Sequence, residues 1–270
     1  MSTLYVIATP IGNLGDISAR AADVLRGLPV VAAEDTRVTS KLLAHLKASP
    51  RLVSYNEDSP PSRLQELLVL LDAGDLGLAT DAGTPGLSDP GAGLVEAAVA
   101  RGHSVVPLPG PSAVTTLLSA SGFSGAQFFF AGYLPRGKAE RRKVLDSLAD
   151  ATCTTVLFEA PHRVREALED IRDAYDGRRL VIGRELTKLH EELFRGTAAQ
   201  ALEHFTEPRG EFVVAIEAAP EKGEGTDDDA VLNAIARLRA TGLSGRTLVE
   251  AVCGETGASR SRVYRLALRK

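Results

Sequence analysis

Three short stretches hold most of the residues whose types and spacing could build a binding site: TPIGNLGD (9–16), DAGTPGLSDPG (81–91) and PLPGPSA (107–113). Each is rich in Gly and Pro, and each ends or follows a short apolar run. Gly lets a backbone approach a ligand closely, while Pro stiffens a loop so that less ordering entropy is lost on binding. One such loop reads as a tight turn. Three at the carboxyl ends of strands in one sheet read as a small-molecule site made largely of backbone groups, because ligands of open α/β sheets bind beyond that edge. Several other chemistries lack their signatures. There is no G-x-x-x-x-G-K-[ST], so an ordinary P-loop is not expected. GAGLVE (91–96) imitates a dinucleotide fingerprint but follows a long loop and carries Glu96 in the third glycine's place. The five histidines show no metal-ligand spacing, so no metal site is expected, and no G-x-S-x-G elbow appears.

The loops need rigid elements to hold them, and the hydrophobic pattern supplies these. Apolar runs TLYVIAT, VVAAED, RLVSY, LGLAT and SVVPL read as strands. Between and after them, helical spacing covers Ile17–Leu28, Thr36–Leu46, Leu64–Leu71, Gly91–Arg101 and Ser112–Ser121. This alternation predicts an α/β domain over 1–121 with a parallel sheet flanked by helices. SGFSGAQ (121–127) reads as a linker. A second α/β domain, 127–219, is expected from FFFAGYL, TTVLFEA, RLVIGREL, EELFRGT and EFVVAIEAA, with helices at Glu140–Leu148 and Pro161–Ala174. Its RGT and RGEF breaks point to a mixed sheet. PEKGEGTDDD (220–229) reads as a tether to a small C-terminal helical domain, 228–270, of three helices joined by Gly-Leu-Ser and Gly-Ala-Ser turns whose serines serve as N-caps.

Composition bounds the class. With 270 residues, 44% hydrophobic and 24% charged, the chain is that of an ordinary globular protein with ample length for real cores. Its two cysteines lie far apart, so a disulfide scaffold is not expected and a cytoplasmic setting is. The N-terminus lacks a basic region ahead of its apolar run, and no apolar run is long enough for a membrane span, so neither a signal peptide nor membrane association is expected. The net charge of −4 hides an asymmetry: residues 227–270 carry +3 and residues 1–226 carry −7. Two basic clusters, PRGKAERRK (135–143) and RSRVYRLALRK (260–270), are the electrostatic footprint available for a polyanion.

At this level of detail the chain resembles the tetrapyrrole methylase superfamily, and within it the small-subunit ribosomal RNA methyltransferase I branch. DAGTPGLSDPG is similar to that branch's signature loop. TPIGNLGDIS, AAEDTR, LPGPSA, GYLPRGK, FEAPHR, RELTKLHEE, RGEF and SRVYRLAL follow in the order of its other blocks. Two positions depart: Thr80 stands where Ser or Gly is usual, and SYNED (54–58) replaces a histidine-bearing block. The resemblance implies two α/β domains with S-adenosylmethionine folded in the cleft between them, and a homodimer. It also implies methyl transfer to the ribose 2′-hydroxyl of a decoding-centre cytidine of 16S rRNA, position 1402 in the customary rRNA numbering. Carried over by motif, the cofactor-binding residues would be Pro10, Ala82, Gly83, Thr84, Leu87, Ser112, Ala113, Glu159 and Leu186, with Asp81 the carboxylate nearest the donor's positive charge.

A ribose hydroxyl is a poor nucleophile, and a positioned base contributes about 10²–10⁴ in rate. Candidates are Asp35, Glu159, Glu185 and, if burial lowers its pKa, Lys188. Each also has a structural reading: Asp35 as a helix cap with Arg37, Glu159 paired with Arg163, Lys188 paired with Glu192. Arg136, Lys138, Arg141, Arg142 and the 260–270 tail could contact phosphates. Two other functions stand beside this one. One is methylation of a tetrapyrrole intermediate; the other is a non-catalytic regulator whose α/β body senses a ligand and whose C-terminal helices bind nucleic acid.

Overall fold

A computed structural model describes residues 2–175, 177–219, 228–258 and 260–267. The chain divides into two compact units, one of Met1–Ala149 with Cys153–Glu217 and the other of Asp150–Thr152 with Ala218–Lys270. The first unit holds both expected sheets. Strands β1 (Thr3–Ile7), β2 (Val30–Ala33), β3 (Arg51–Ser54), β4 (Leu76–Ala79) and β5 (Ser104–Leu108) form a parallel sheet in the order β3-β2-β4-β1-β5. Helices α1 (Ala19–Gly27) and α2 (Thr36–Leu46) pack on one face, with Leu25, Leu42 and Leu43 buried against Ile7, Val31 and Leu108. Helices α3 (Pro61–Ala73) and α4 (Ala92–Ala100) cover the other, with Leu67, Leu71 and Leu94 against Leu4, Ala32 and Leu76. Burial on both faces explains why these strands read as continuous apolar runs.

The order of strands creates the crevice. From β1 the chain crosses to β2 on one side, and from β4 it crosses over β1 to β5 on the other. The connections from β1 and β4 therefore run in opposite directions, and their loops lie side by side at the carboxyl edge, where they form one rim of the cleft.

After α5 (Ala113–Ser121) comes a mixed sheet: β6 (Phe128–Tyr133), β7 (Thr154–Glu159), β8 (Arg179–Arg184), β9 (Glu192–Thr197) and β10 (Phe212–Ile216), in the order β6-β7-β10-β8-β9. Only β6 and β7 run parallel. Alternation along β10 sends Phe212, Val214 and Ile216 toward α6 (Lys138–Leu148), α7 (Val164–Ala174) and α8 (Ala198–His204), while Val213 and Ala215 meet Val114 and Leu117 of α5. Helix α7 begins three residues later than its pattern predicts, because Pro161–Arg163 form a turn on the Ala160 carbonyl.

The second unit has its own core. Helices α9 (Asp228–Ala240), α10 (Gly245–Thr256) and α11 (Arg260–Ala267) bury Val231, Ile235, Leu248, Val252, Val263 and Leu266 together. Residues 220–227 of the expected tether lie outside the described residues, as do residues 268–270 and the side chains of Arg260, Arg262 and Arg265 in the basic tail. Among the described residues no helix is long and apolar enough to cross a membrane.

Candidate active site

The three Gly/Pro loops meet at the carboxyl edge of the parallel sheet. The Thr9 amide donates to the Gly83 carbonyl (2.8 Å), and the Gly83 amide returns a bond to Thr9 (3.1 Å). The Thr9 hydroxyl donates to the Thr80 carbonyl at 3.0 Å. These bonds tie the first loop to the signature loop and hold Gly83 at φ 82°, a left-handed conformation that Gly adopts without a side-chain penalty. The third loop closes against Ala8: a β-carbon on Gly110 would stand 2.9 Å from the Ala8 β-carbon. Only glycine allows that approach.

Facing these loops is the inner surface of the mixed sheet. The cleft between them, within the first unit, has about 1000 Å³ of empty space, part of it open to solvent. Of the expected site residues, Asp81, Ala82, Gly83, Thr84, Leu87, Ser112, Ala113 and Leu186 all line it. Phe130, Tyr133, Phe158 and Val213 supply the opposite wall. Pro10 lies in an adjoining depression with Lys188, which shares Ile11, Asp81, Ala82 and Glu211 with the cleft. Leu186 is positioned by a tight turn whose Glu185 and Thr187 have φ of 51° and 68°.

The remaining expected residues sit elsewhere. Glu159 does not line the cleft. Phe158 faces it, so its neighbour on β7 points to the helical side. There Glu159 is fully buried, accepts from the Ala160 amide at 2.9 Å and pairs with Arg163 at 3.3 Å. Its Oε2 has no hydrogen-bond partner among the described residues, and burial raises its pKa. Asp35 lies in a second, polar pocket, where it caps α2 through the Arg37 amide (2.8 Å) and grips the Arg37 guanidinium (2.5 Å). Those bonds hold its carboxyl down at about 2.

Lys188 does not meet the condition for a neutral base, nor does it pair with Glu192. Its ammonium bonds Glu185 at 2.9 Å and Glu211 at 2.8 Å. Burial pulls its pKa down, but those two carboxylates outweigh it and leave the pKa raised. Glu185 is correspondingly occupied: burial pushes it up, yet Lys188 and the Glu211 amide bring it net down. Arg141 is a further correction. Its guanidinium is buried and bonded to Asp170 (2.7 Å) and to the Arg136 carbonyl, so it has no face for a phosphate. Arg142 is committed to Asp170 and Asp173. Arg136 and Lys138 remain exposed.

Sequence reasoning missed a group of carboxylates that share the cleft. Glu34, Asp89 and Glu211 line it together with Asp81. Glu34 Oε2 accepts from the Asp81 amide (3.1 Å) and Asp81 Oδ1 from the Asp35 amide (3.0 Å), which locks the ends of β2 and β4 together. Burial raises the pKa of both Glu34 and Asp81. Asp89 is pushed to about 7, first by burial and then by Glu34, against a lowering contribution from the Thr80 hydroxyl. The signal was present, since Asp89 stands inside the signature loop and Glu34 beside Asp35.

Comparison with known proteins agrees with this architecture. Residues 3–202 match the family described as Tetrapyrrole (Corrin/Porphyrin) Methylases. A Synechocystis protein named "Ribosomal RNA small subunit methyltransferase I" is 40% identical, covering 99% of this chain and 98% of its own. A protein of the same name from Thermotoga maritima is 43% identical over 80% of this chain and 98% of its own. Among solved structures, a cobalt precorrin-4 methyltransferase superposes with a TM-score of 0.59 at 18% identity, covering 79% of this chain and 94% of its own. Thermus thermophilus uroporphyrin-III C-methyl transferase, complexed with S-adenyl homocysteine, gives 0.57 at 18% identity, covering 79% and 97%. These last two share the fold. The chain belongs to the tetrapyrrole (corrin/porphyrin) methylase family, in its ribosomal RNA small subunit methyltransferase I group, and is an S-adenosylmethionine-dependent methyltransferase.

Proposed function

We propose that this enzyme methylates the 2′-hydroxyl of a decoding-centre cytidine of 16S rRNA, position 1402 in the customary numbering, and works as a cytoplasmic homodimer. The observation that carries the RNA assignment is the identity of 40–43% with proteins named for small-subunit ribosomal RNA methylation, extending across nearly the whole chain. The cleft residues fit the methyl donor. Ala82, Gly83, Ser112 and Ala113 line the cleft from the loop side, Phe130, Phe158 and Leu186 form an apolar wall, and Asp81 and Glu34 are placed to balance a positive sulfonium. When bound, S-adenosylmethionine supplies an electrophilic methyl group. The chain's own task is to hold acceptor and donor in line, which in the best intramolecular cases contributes about 7–11 kcal/mol.

Arg136 and Lys138, with the basic tail, are the groups proposed to meet phosphates. The test incubates the protein with labelled S-adenosylmethionine and small subunits that lack the modification, then maps the label. Label on the 2′-oxygen of one decoding-centre cytidine is expected. Label on a porphyrinoid and none on RNA would overturn the reading in favour of tetrapyrrole methylation. Light scattering of the purified protein checks the dimer.

A further inference from the structure

We propose that Asp89 is the catalytic base of this enzyme, the group that takes the proton from the acceptor hydroxyl. The inference rests on the RNA 2′-O reading above and adds the residue which that reading leaves open.

Position is the first argument. Asp89 lines the inner cleft, while its chain neighbours Ser88 and Pro90 both line the outer polar pocket that also holds Asn56 and Glu57. Glu34, Ser88 and Tyr133 belong to both cavities. Asp89 therefore stands at the junction where a hydroxyl entering from the outer pocket would meet a donor seated on the Gly/Pro loops. The backbone constrains it there: Pro90 disfavours a helical conformation at Asp89, and Ser88 adopts φ 63°. A non-glycine residue in that region is strained, and such strain persists where surrounding structure over-determines it, often at functional sites.

Availability is the second. Asp35 is held by Arg37, Glu185 by Lys188, and Glu211 also by Lys188. Glu34 and Asp81 accept from backbone amides of the facing loop. Glu159 is sealed on the far side of β7. The Thr80 hydroxyl favours the charged form of Asp89 but closes no hydrogen bond with it. Two of the carboxylates that face Asp89 come from other loops, Glu34 after β2 and Glu57 after β3; Asp81 faces it from the start of its own loop after β4, and the Tyr133 phenol from β6. A carboxyl among these neighbours has its pKa raised to about 7, suited to accepting a proton near neutrality.

The step balances. The ribose oxygen forms its bond to the methyl carbon as the carbon–sulfur bond breaks and its electron pair goes to sulfur. The hydroxyl proton goes to Asp89, so alcohol, sulfonium and carboxylate become methyl ether, thioether and carboxylic acid.

The test uses full-length wild type, Asp89→Asn and Asp89→Glu, with single-turnover methylation of unmodified small subunits from pH 5.5 to 9. Calorimetry with S-adenosylhomocysteine and carboxyl-carbon NMR titration of the ligand-free protein accompany it. Wild-type rate should rise with pH through an apparent pKa near 7. Asp89→Asn should lose about 10²–10⁴ in rate and the pH step, while its S-adenosylhomocysteine affinity stays within about threefold. Asp89→Glu should recover part of the rate, and the carboxyl titrating near 7 should be missing from Asp89→Asn. RNA methylation by Asp89→Asn within about tenfold of wild type, a surviving pH step, or loss of S-adenosylhomocysteine binding would overturn the assignment alone. No RNA methylation by the wild type would overturn the functional reading, and the assignment with it.

Discussion

Buried charge at two positions makes opposite demands on stability. Asp89 is pushed up to about 7 by burial and by the surrounding carboxylates, so between its unfolded value near 4 and 7 the folded state binds the extra proton. Stability from this group is therefore full at low pH and is lost as pH rises toward 7. Asp89→Asn is expected to raise the melting temperature at pH 8 by roughly 2–4 °C, the shift that about 1 kcal/mol produces in a domain of this size, with the gain vanishing toward pH 4. Calorimetric scans at the two pH values check it. Arg141 is the reverse case: its guanidinium neutralises Asp170, which is itself almost fully buried. Arg141→Ala should cost about 3–5 kcal/mol in denaturant unfolding, because it strands a buried carboxylate. Replacing Arg141 and Asp170 together with apolar residues of similar volume should cost far less. These two residues also show how far types and spacing carry. A run such as PRGKAERRK looks like one basic surface, and only the packing of α6 on α7 turns one arginine inward.

At the scale of elements, the site is a set of loops held against one another. Thr9 and Gly83 exchange backbone bonds, and Gly110 closes on Ala8. Gly110→Ala would drive a methyl group to 2.9 Å from the Ala8 side chain and 3.2 Å from its carbonyl. The expected result is a loss of about 1–3 kcal/mol in stability and weaker S-adenosylhomocysteine binding, measured by unfolding and calorimetry. The loops were legible before the structure because Gly and Pro report backbone needs directly. Eight expected residues do line one cleft. What was not legible was the facing wall: Phe130, Tyr133 and Phe158 read only as strand residues, since period-2 alternation does not say which side of a sheet meets the loops. The same alternation places Glu159 behind that wall.

For the whole molecule, charge distribution bears on the RNA. Binding to small-subunit RNA should weaken with salt by about 0.7–0.9 log units per log[salt] for each phosphate neutralised. Arg136→Ala and Lys138→Ala should each lower that slope, whereas removing the buried Arg141 charge should leave it unchanged in protein that remains folded. Filter binding across a salt series checks this, and a flat response in the wild type would sink the phosphate-contact proposal. The C-terminal helices bury an apolar cluster of their own within the second compact unit.

By itself the sequence determined the strand and helix alternation, the parallel and mixed character of the two sheets, the Gly/Pro loops and, through their resemblance, the family. These are properties of local pattern, set by hydrophobic period and by the backbone limits of Gly and Pro. Tertiary structure alone decided which carboxylates meet, and with them the availability of each candidate base. Glu34 and Glu57 reach Asp89 from loops distant in sequence, and the fold of its own loop brings Asp81 toward it. Burial and like charge act through space, so no spacing along the chain could have singled out Asp89 from its own signature loop.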